Sequence, residues 1–220
     1  MRINKFVAQA SGLSRRAADR AIEEGRVKVN GQSADIGVEI SEGDSVTFDG
    51  QSLSLPTETT TIMLNKPTGY VSSRQGQGNR TIYELLPPQY RNLKPVGRLD
   101  KDSSGLILLT DDGELANQLT HPSYGKTKIY EITLDKPLEP LHRQMISDHG
   151  VRLDDGPSKL ALEKLQANGL EWRVTMTEGR NRQIRRTFAA LGYDVDKLHR
   201  INFGNYTLGT LKEGLYLKFD

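Results

Sequence analysis

The tract SLPTETTT, Ser54 to Thr61, interrupts the chain with polar and β-branched side chains and offers almost nothing to bury. Such a stretch cannot sit inside a core, so it reads as a linker. The 220 residues are therefore expected to form a small unit over residues 1–54, a linker over 55–61 and a larger unit over 62–220. With 35% hydrophobic and 26% charged residues, both units can build cores rather than stay disordered. The longest apolar run, Leu106 to Leu109, is far too short to cross a membrane. The opening MRINKFVAQASG is broken by Gln9 and Gly12 and does not read as a secretory signal. Cysteine is absent, which excludes disulfides, thiolate nucleophiles and cysteine-ligated zinc and fits a cytoplasmic protein.

Net charge is only +2, but residues 1–30 carry seven Lys and Arg against three Asp and Glu. In this unit Ser14 is a good N-cap for a helix over residues 15–24, and Gly25 supplies its stop. Ala17, Ala18, Ala21 and Ile22 fall on one side of that helix, with Arg15, Arg16 and Arg20 on the other. Val27-Lys28-Val29 alternates into an Asn30-Gly31 turn, and Gly43-Asp44 precedes a strand to Phe48. Two short helices followed by small strands make a compact module with a basic helix face. That face suits phosphate binding, although a solvated surface gives the same pattern.

Beyond Ile62, strand-like and helix-like segments alternate. Strands are expected at Ile62–Asn65, Leu106–Thr110, Lys128–Leu134, Ala161–Leu165, Glu171–Met176 and Tyr216–Phe219; helices at Gly113–Thr120, Leu138–Ser147 and Arg182–Leu191. The spacing is not that of regular βαβ repeats, and no Gly-rich nucleotide fingerprint follows a strand. The expected class is α+β, with a mainly antiparallel sheet backed by helices.

Three stretches carry candidate chemistry. In Gly97-Arg98-Leu99-Asp100, an extended backbone projects Arg98 and Asp100 from one side, presenting a cation and a carboxylate together. A rival reading is an EF-hand calcium loop from Asp100 through Asp102 and Ser104-Gly105 to Asp111; Leu108 at the ninth position and the helix-breaking Pro95 and Gly97 upstream count against it. A plain Asp/Ser/Gly turn is the commoner outcome. In Lys128–Leu134, alternation puts Lys128, Tyr130 and Ile132 on one face, where Tyr130 either packs in the sheet or stacks on an unpaired base. In Glu178–Phe188, Ile184, Phe188 and Leu191 form a core stripe ended by Gly192. Arg182 and Arg186 point away from that stripe. Arg185 flanks it and needs an anion, carboxylate or phosphate.

Two family resemblances rest on these residues. Arg2-Ile3-Asn4-Lys5-Phe6, Ser14-Arg15-Arg16, Gly25-Arg26-Val27, Val29-Asn30-Gly31 and Gly43-Asp44 closely resemble the RNA-binding domain first seen in ribosomal protein S-four, also called the alpha-L motif. Gly97-Arg98-Leu99-Asp100, Ser104-Gly105-Leu106, Lys128-x-Tyr130 and Glu178-Gly179-Arg180-Asn181-Arg182-Gln183-Ile184-Arg185-Arg186 resemble the motifs of ribosomal-RNA pseudouridine synthases. Asn65-Lys66-Pro67-x-Gly69 and Leu198-x-Arg200 match as well. The group resembled includes small-subunit synthase A and large-subunit synthases B and F. Asp112–Asn117 and Glu178–Arg182 look more like the large-subunit members, although the sequence ends at Asp220 without the long basic tail of some relatives.

The resemblance implies an enzyme that isomerises a uridine of ribosomal RNA, or of a ribosomal subunit precursor, on a base flipped out of the stack. Asp100 is the implied nucleophile, Tyr130 the stacking partner of the uracil, and Arg185 the partner that keeps Asp100 ionised and oriented. Arg98, Arg182 and Arg186, with Lys5, Arg15, Arg16 and Arg20 in the first unit, are the expected RNA contacts. No cofactor or metal is expected: nothing is oxidised or reduced, and His121, His142, His149 and His199 lack metal-ligand spacing. The expected protein is a monomer that does not associate with membranes. Two other classes remain open at this point: a non-catalytic RNA-binding assembly factor, and a metal-dependent nuclease using Asp100, Asp102, Asp111 and Asp112.

Overall fold

The computed structural model describes residues 1–219, which divide into two compact units, Met1–Thr59 and one beginning at Thr60. In the first, helices α1 (Ile3–Ser11) and α2 (Arg15–Glu23) precede strands β1 (Val27–Val29), β2 (Gln32–Ser33), β3 (Val46–Phe48) and β4 (Gln51–Ser52). Ser14 Oγ accepts from Ala17 N at 3.1 Å and caps α2 as expected. Asn30 and Gly31 both have positive φ, at 51° and 82°, which a two-residue hairpin between β1 and β2 requires. Ile3 and Val7 of α1, Ala18, Ala21 and Ile22 of α2, and Val27 and Val46 of the sheet form one core. Arg15, Arg16 and Arg20 stay exposed on the opposite side of α2.

The second unit contains β5 (Thr61–Lys66), β6 (Lys94–Val96), β7 (Ser104–Thr110), α3 (Gly113–Thr120), β8 (Lys128–Leu134), α4 (Pro140–Gln144), β9 (Val151–Leu153), β10 (Gly156–Ser158), β11 (Ala161–Lys164), β12 (Glu171–Met176), α5 (Gln183–Ala189), β13 (Val195–Phe203), β14 (Tyr206–Thr207) and β15 (Tyr216–Phe219). Its main sheet runs β11-β12-β8-β13-β7-β5-β15, with β6 and β14 added to β7 and β13. Every pairing is antiparallel except that of β13 with β7, so the mainly antiparallel α+β class holds. Strand β7 is buried on both faces: Ile107 and Leu109 enter one core, Leu106 and Leu108 the other. That double burial is why Ser104–Leu109 reads as an almost continuous apolar run.

Three expectations are corrected here. Thr61, placed in the linker, starts β5, and Thr60 is already tied to this unit by Thr60 N–Asp111 Oδ1 at 2.7 Å and Thr110 Oγ1–Thr60 O at 2.9 Å. Helix α5 begins at Gln183, because Arg182 takes a left-handed conformation (φ 46°) at its N-cap. The unanticipated β13 is the longest strand; its pairing with β8 slips between Val195 and Lys197 and again between Arg200 and Asn202. Those irregularities erase the period-two pattern that marks a strand in sequence.

The β7–β13 junction positions the site. Gly105 has φ 103°, and a Cβ there would stand 2.3 Å from the Arg200 carbonyl oxygen and 2.5 Å from its nitrogen. Only glycine lets the two backbones meet this closely, bringing the start of β7 against Arg200.

Candidate active site

A cavity of about 440 Å³ opens in the second unit, lined by Arg98 and Asp100 before β7, Lys128 and Tyr130 of β8, the Glu178–Arg185 segment, and Arg200 and Phe203 of β13. Asp100 sits on a tight turn, with Ser103 N donating to its carbonyl at 3.1 Å. The segment after β5 grips both flanks of that turn. Ser72 Oγ donates to Leu99 O at 2.8 Å and accepts from Leu99 N at 3.1 Å. Gly69 N donates to Lys101 O at 2.7 Å. Lys66, fully buried, donates to Ser103 O at 2.6 Å and to Pro67 O at 2.9 Å. Burial pushes its ammonium down to about 8, opposed by the charges of Asp100 and Asp102. Asp100 itself keeps 37% of its side chain exposed, so a carboxylate on a rigid turn faces the cavity.

The arginines do not pair as the sequence suggests. Arg185 does not contact Asp100. Its Nη2 donates to the Asp102 carbonyl at 2.8 Å, its Nε lies 3.3 Å from Asp102 Oδ2, and its Nη1 bonds to Val195 O. It is half-buried and anion-paired as expected, but the anion is Asp102. Arg182 grips Asp102 with two bonds of 3.0 and 2.8 Å and reaches Asp100 Oδ2 at 3.6 Å. Its hydrogen bonds hold the Asp102 carboxyl below the usual carboxylate range. The shift of the α5 start by one residue explains the exchange: left-handed Arg182 turns over the Asp100–Asp102 loop, while Arg185, one turn into the helix, reaches only the Asp102 end.

Among the other expected contacts, Arg98 is exposed at the cavity and Tyr130 is 8% exposed in its wall. Arg186 is not among the lining residues. It pairs with Asp154 and, at 2.6 Å, with Asp155, on the turn between β9 and β10. In the first unit, Lys5 and Arg15 share a recess with Met1, Arg2 and Asn4; Arg16 and Arg20 lie outside it. The sequence assigns no site role to Ser72, places Lys66 and Arg200 in matched motifs without a role, and offers Asp102 only to the rival metal sites. The signal for Lys66 is the matched run Asn65-Lys66-Pro67-x-Gly69.

The rival chemistries lose their residues. Ser104–Thr110 is a buried strand, so no calcium loop can form across it. Asp111 accepts from Thr60 N, Asp112 caps α3 by accepting from Glu114 N at 2.8 Å and Leu115 N at 3.1 Å, and Asp102 is held by arginines. Among the described residues no helix is long and apolar enough to cross a membrane.

Comparison with known proteins identifies the family. Residues 60–190 match the RNA pseudouridylate synthase family and residues 1–46 match the S4 domain. Ribosomal large subunit pseudouridine synthase B of Bacillus subtilis is 37% identical over 97% of this chain and 89% of its own. Ribosomal small subunit pseudouridine synthase A of Haemophilus influenzae is 38% identical over 98% and 94%. The dual-specificity RNA pseudouridine synthase RluF of Escherichia coli is 38% identical over 97% and 73%. A crystal structure of a pseudouridylate synthase superposes with a TM-score of 0.72 at 36% identity, covering all of this chain and 96% of that one. The chain belongs to the RNA pseudouridylate synthase family and carries an S4 domain at its N-terminus.

Proposed function

We propose that this enzyme converts a uridine of large-subunit ribosomal RNA, free or in a subunit precursor, to pseudouridine, with Asp100 as nucleophile. It works as a single cytoplasmic chain without metal or cofactor. The observation that carries this reading is Asp100 itself: a partly exposed carboxylate, fixed by backbone bonds on both flanks, facing a cavity walled by Tyr130. Relatives of nearly equal identity act on either ribosomal subunit by name. The preference for the large subunit rests on the Asp112–Asn117 and Glu178–Arg182 runs.

The target base must leave its stack before its glycosidic bond is accessible. Arg98, exposed at the mouth, is placed to occupy the vacated space and hold phosphate. Tyr130 offers a ring on which the extruded uracil stacks. Asp100 then supplies its carboxylate to the detachment step, oriented by Arg182. Confinement between Tyr130 and the apolar wall keeps the loose base beside the ribose until it rejoins through carbon.

Pseudouridine mapping of ribosomal RNA from cells with and without the gene tests the function. One large-subunit site is expected to vanish and to return with the wild-type gene but not with Asp100→Asn. Restoration by Asp100→Asn removes the nucleophile, and loss of a small-subunit site reverses the subunit assignment.

A further inference from the structure

Cations collect beneath the cavity without carboxylates to match them. Arg200 is 2% exposed and lines the cavity. Its Nε donates to Leu106 O at 2.7 Å, while its Nη2 is buried with no hydrogen-bond partner. Its guanidinium lies 4.8 Å from the centroid of the Phe203 ring and 6.0 Å from that of Tyr130. Lys128 Nζ lies 5.3 Å from the centroid of the same Phe203 ring and donates only to a backbone carbonyl, Glu178 O, at 3.3 Å. Burial first, and then the charge of Arg200, hold the Lys128 ammonium below its usual range. The carboxylates that line the cavity, Asp100 and Glu178, are partly or fully exposed.

A buried charge with an unpartnered N–H destabilises the free protein. Perturbed groups of this kind gather where they meet a ligand's charge. Phosphates of a folded RNA can be met at the mouth by the exposed Arg98. Arg200 lies deeper, beside the ring proposed to stack on the base, where only an extruded base arrives.

The chemistry supplies an anion at that depth. When the C1′–N1 bond breaks, its electron pair stays with nitrogen and the uracil becomes a monoanion with charge over N1, O2 and O4. The Asp100 carboxylate takes up C1′ as that bond breaks; rejoining forms the C5–C1′ bond as the C1′–O bond to Asp100 breaks, the C5 proton is then lost and N1 gains one, so atoms and charge balance. We propose that Arg200, supported by Lys128, stabilises the negative charge on the detached uracil and is a catalytic residue of this site. This inference rests on the pseudouridylation reading above.

The test is single-turnover release of tritium from large- and small-subunit ribosomal RNA transcripts labelled with [5-³H]uridine, at saturating enzyme, alongside RNA affinity and thermal unfolding. Arg200→Met is expected to slow release by about a hundredfold or more, with RNA affinity nearly unchanged and no loss of thermal stability. Arg200→Lys should recover part of the rate. Unchanged release overturns the proposal, as does a loss of affinity that saturating enzyme repairs, which marks a phosphate contact. Should Arg200→Met not fold, Lys128→Met decides by the same measurements, with about a tenfold slower release expected. Wild-type activity with unaffected variants overturns this inference alone. Absence of tritium release by the wild type overturns the functional reading and this inference together.

Discussion

Two helices of this protein carry clusters of arginine, and the structure uses them in opposite ways. On α2, Arg15, Arg16 and Arg20 stand exposed to solvent along the face away from the core. Around α5, Arg182, Arg185 and Arg186 are each committed to carboxylates, Asp102 for the first two and Asp154 and Asp155 for the third. Loose cations exchange counterions for phosphates, so they supply affinity that salt weakens. Cations clamped by hydrogen-bonded carboxylates supply geometry instead. The same residue type thus stays solvated in one unit and is paired with carboxylates in the other.

Breaking the clamp should have the largest effect. Asp102→Asn removes the charge that holds both Arg182 and Arg185, and Arg182 then loses its fixed approach to Asp100. Turnover at saturating RNA should fall about 10- to 100-fold, the scale of a small misplacement at a reacting centre, while the fold persists. Activity near the wild-type level would show that Asp102 is a bystander and that Arg182 finds Asp100 unaided.

Removing the loose cations should act on a different quantity. Replacing Arg15, Arg16 and Arg20 together by Ala should weaken RNA binding and lower the slope of log K against log salt by about 2 to 3. Single-turnover rate at saturating enzyme should stay unchanged. Titrations of one RNA fragment at several salt concentrations decide this; equal slopes for both proteins would assign the S4 domain to a protein contact rather than to RNA.

Much of this contrast was legible in the sequence, though not its decisive part. Strands β8, β12 and β15 keep a readable strand pattern and helix α3 has an Asp cap, so their limits follow from sequence alone. Helix α2 is legible from Ser14 and the alanine face. Strand β13 is not, because Asp196, Lys197, His199 and Arg200 interrupt its apolar positions and two register slips break the alternation. Lys66 and Arg200 stand in matched motifs, but their burial is not legible because charged residues are ordinarily placed at the surface, and these two are among the most buried side chains of the protein. The helix pattern leaves the anion of Arg185 open, and the resemblance alone implies Asp100. Helical periodicity gives a side chain's direction, and Asp100 and Asp102 lie too close in sequence for direction to separate them.

Lys66 sharpens the comparison further, since it is a clamped cation whose partners are carbonyls rather than carboxylates. Its ammonium is held near 8 by burial, against about 10.4 for an unfolded lysine. Between those values the unfolded chain binds the extra proton, so stability rises with pH across that window. Lys66→Met should flatten this rise by up to about 1.4 kcal/mol per pH unit. Chemical unfolding of both proteins from pH 7.5 to 10 checks it, and parallel curves would show that Lys66 stays charged in the fold across that range, undisturbed by its burial.

The smallest effect is expected at Arg186, and it discriminates most finely between exposed and clamped arginines. By sequence Arg186 belongs with Arg182 as a surface cation offered to RNA. In the structure its guanidinium is bound to Asp154 and Asp155, and its hydrogen bond holds the Asp155 carboxyl below the usual range. A guanidinium already paired with two carboxylates adds little net positive charge for phosphate to neutralise. Arg186→Ala should therefore leave the salt slope of RNA binding unchanged, whereas Arg16→Ala alone should reduce it by about 0.7 to 0.9. Asp154 and Asp155 are exposed, so the stability cost of losing Arg186 should also be small, about 1 kcal/mol or less. A slope change for Arg186→Ala equal to that for Arg16→Ala would mean that RNA displaces Asp154 and Asp155. Arg186 would then be a recognition residue held in reserve by the β9–β10 turn.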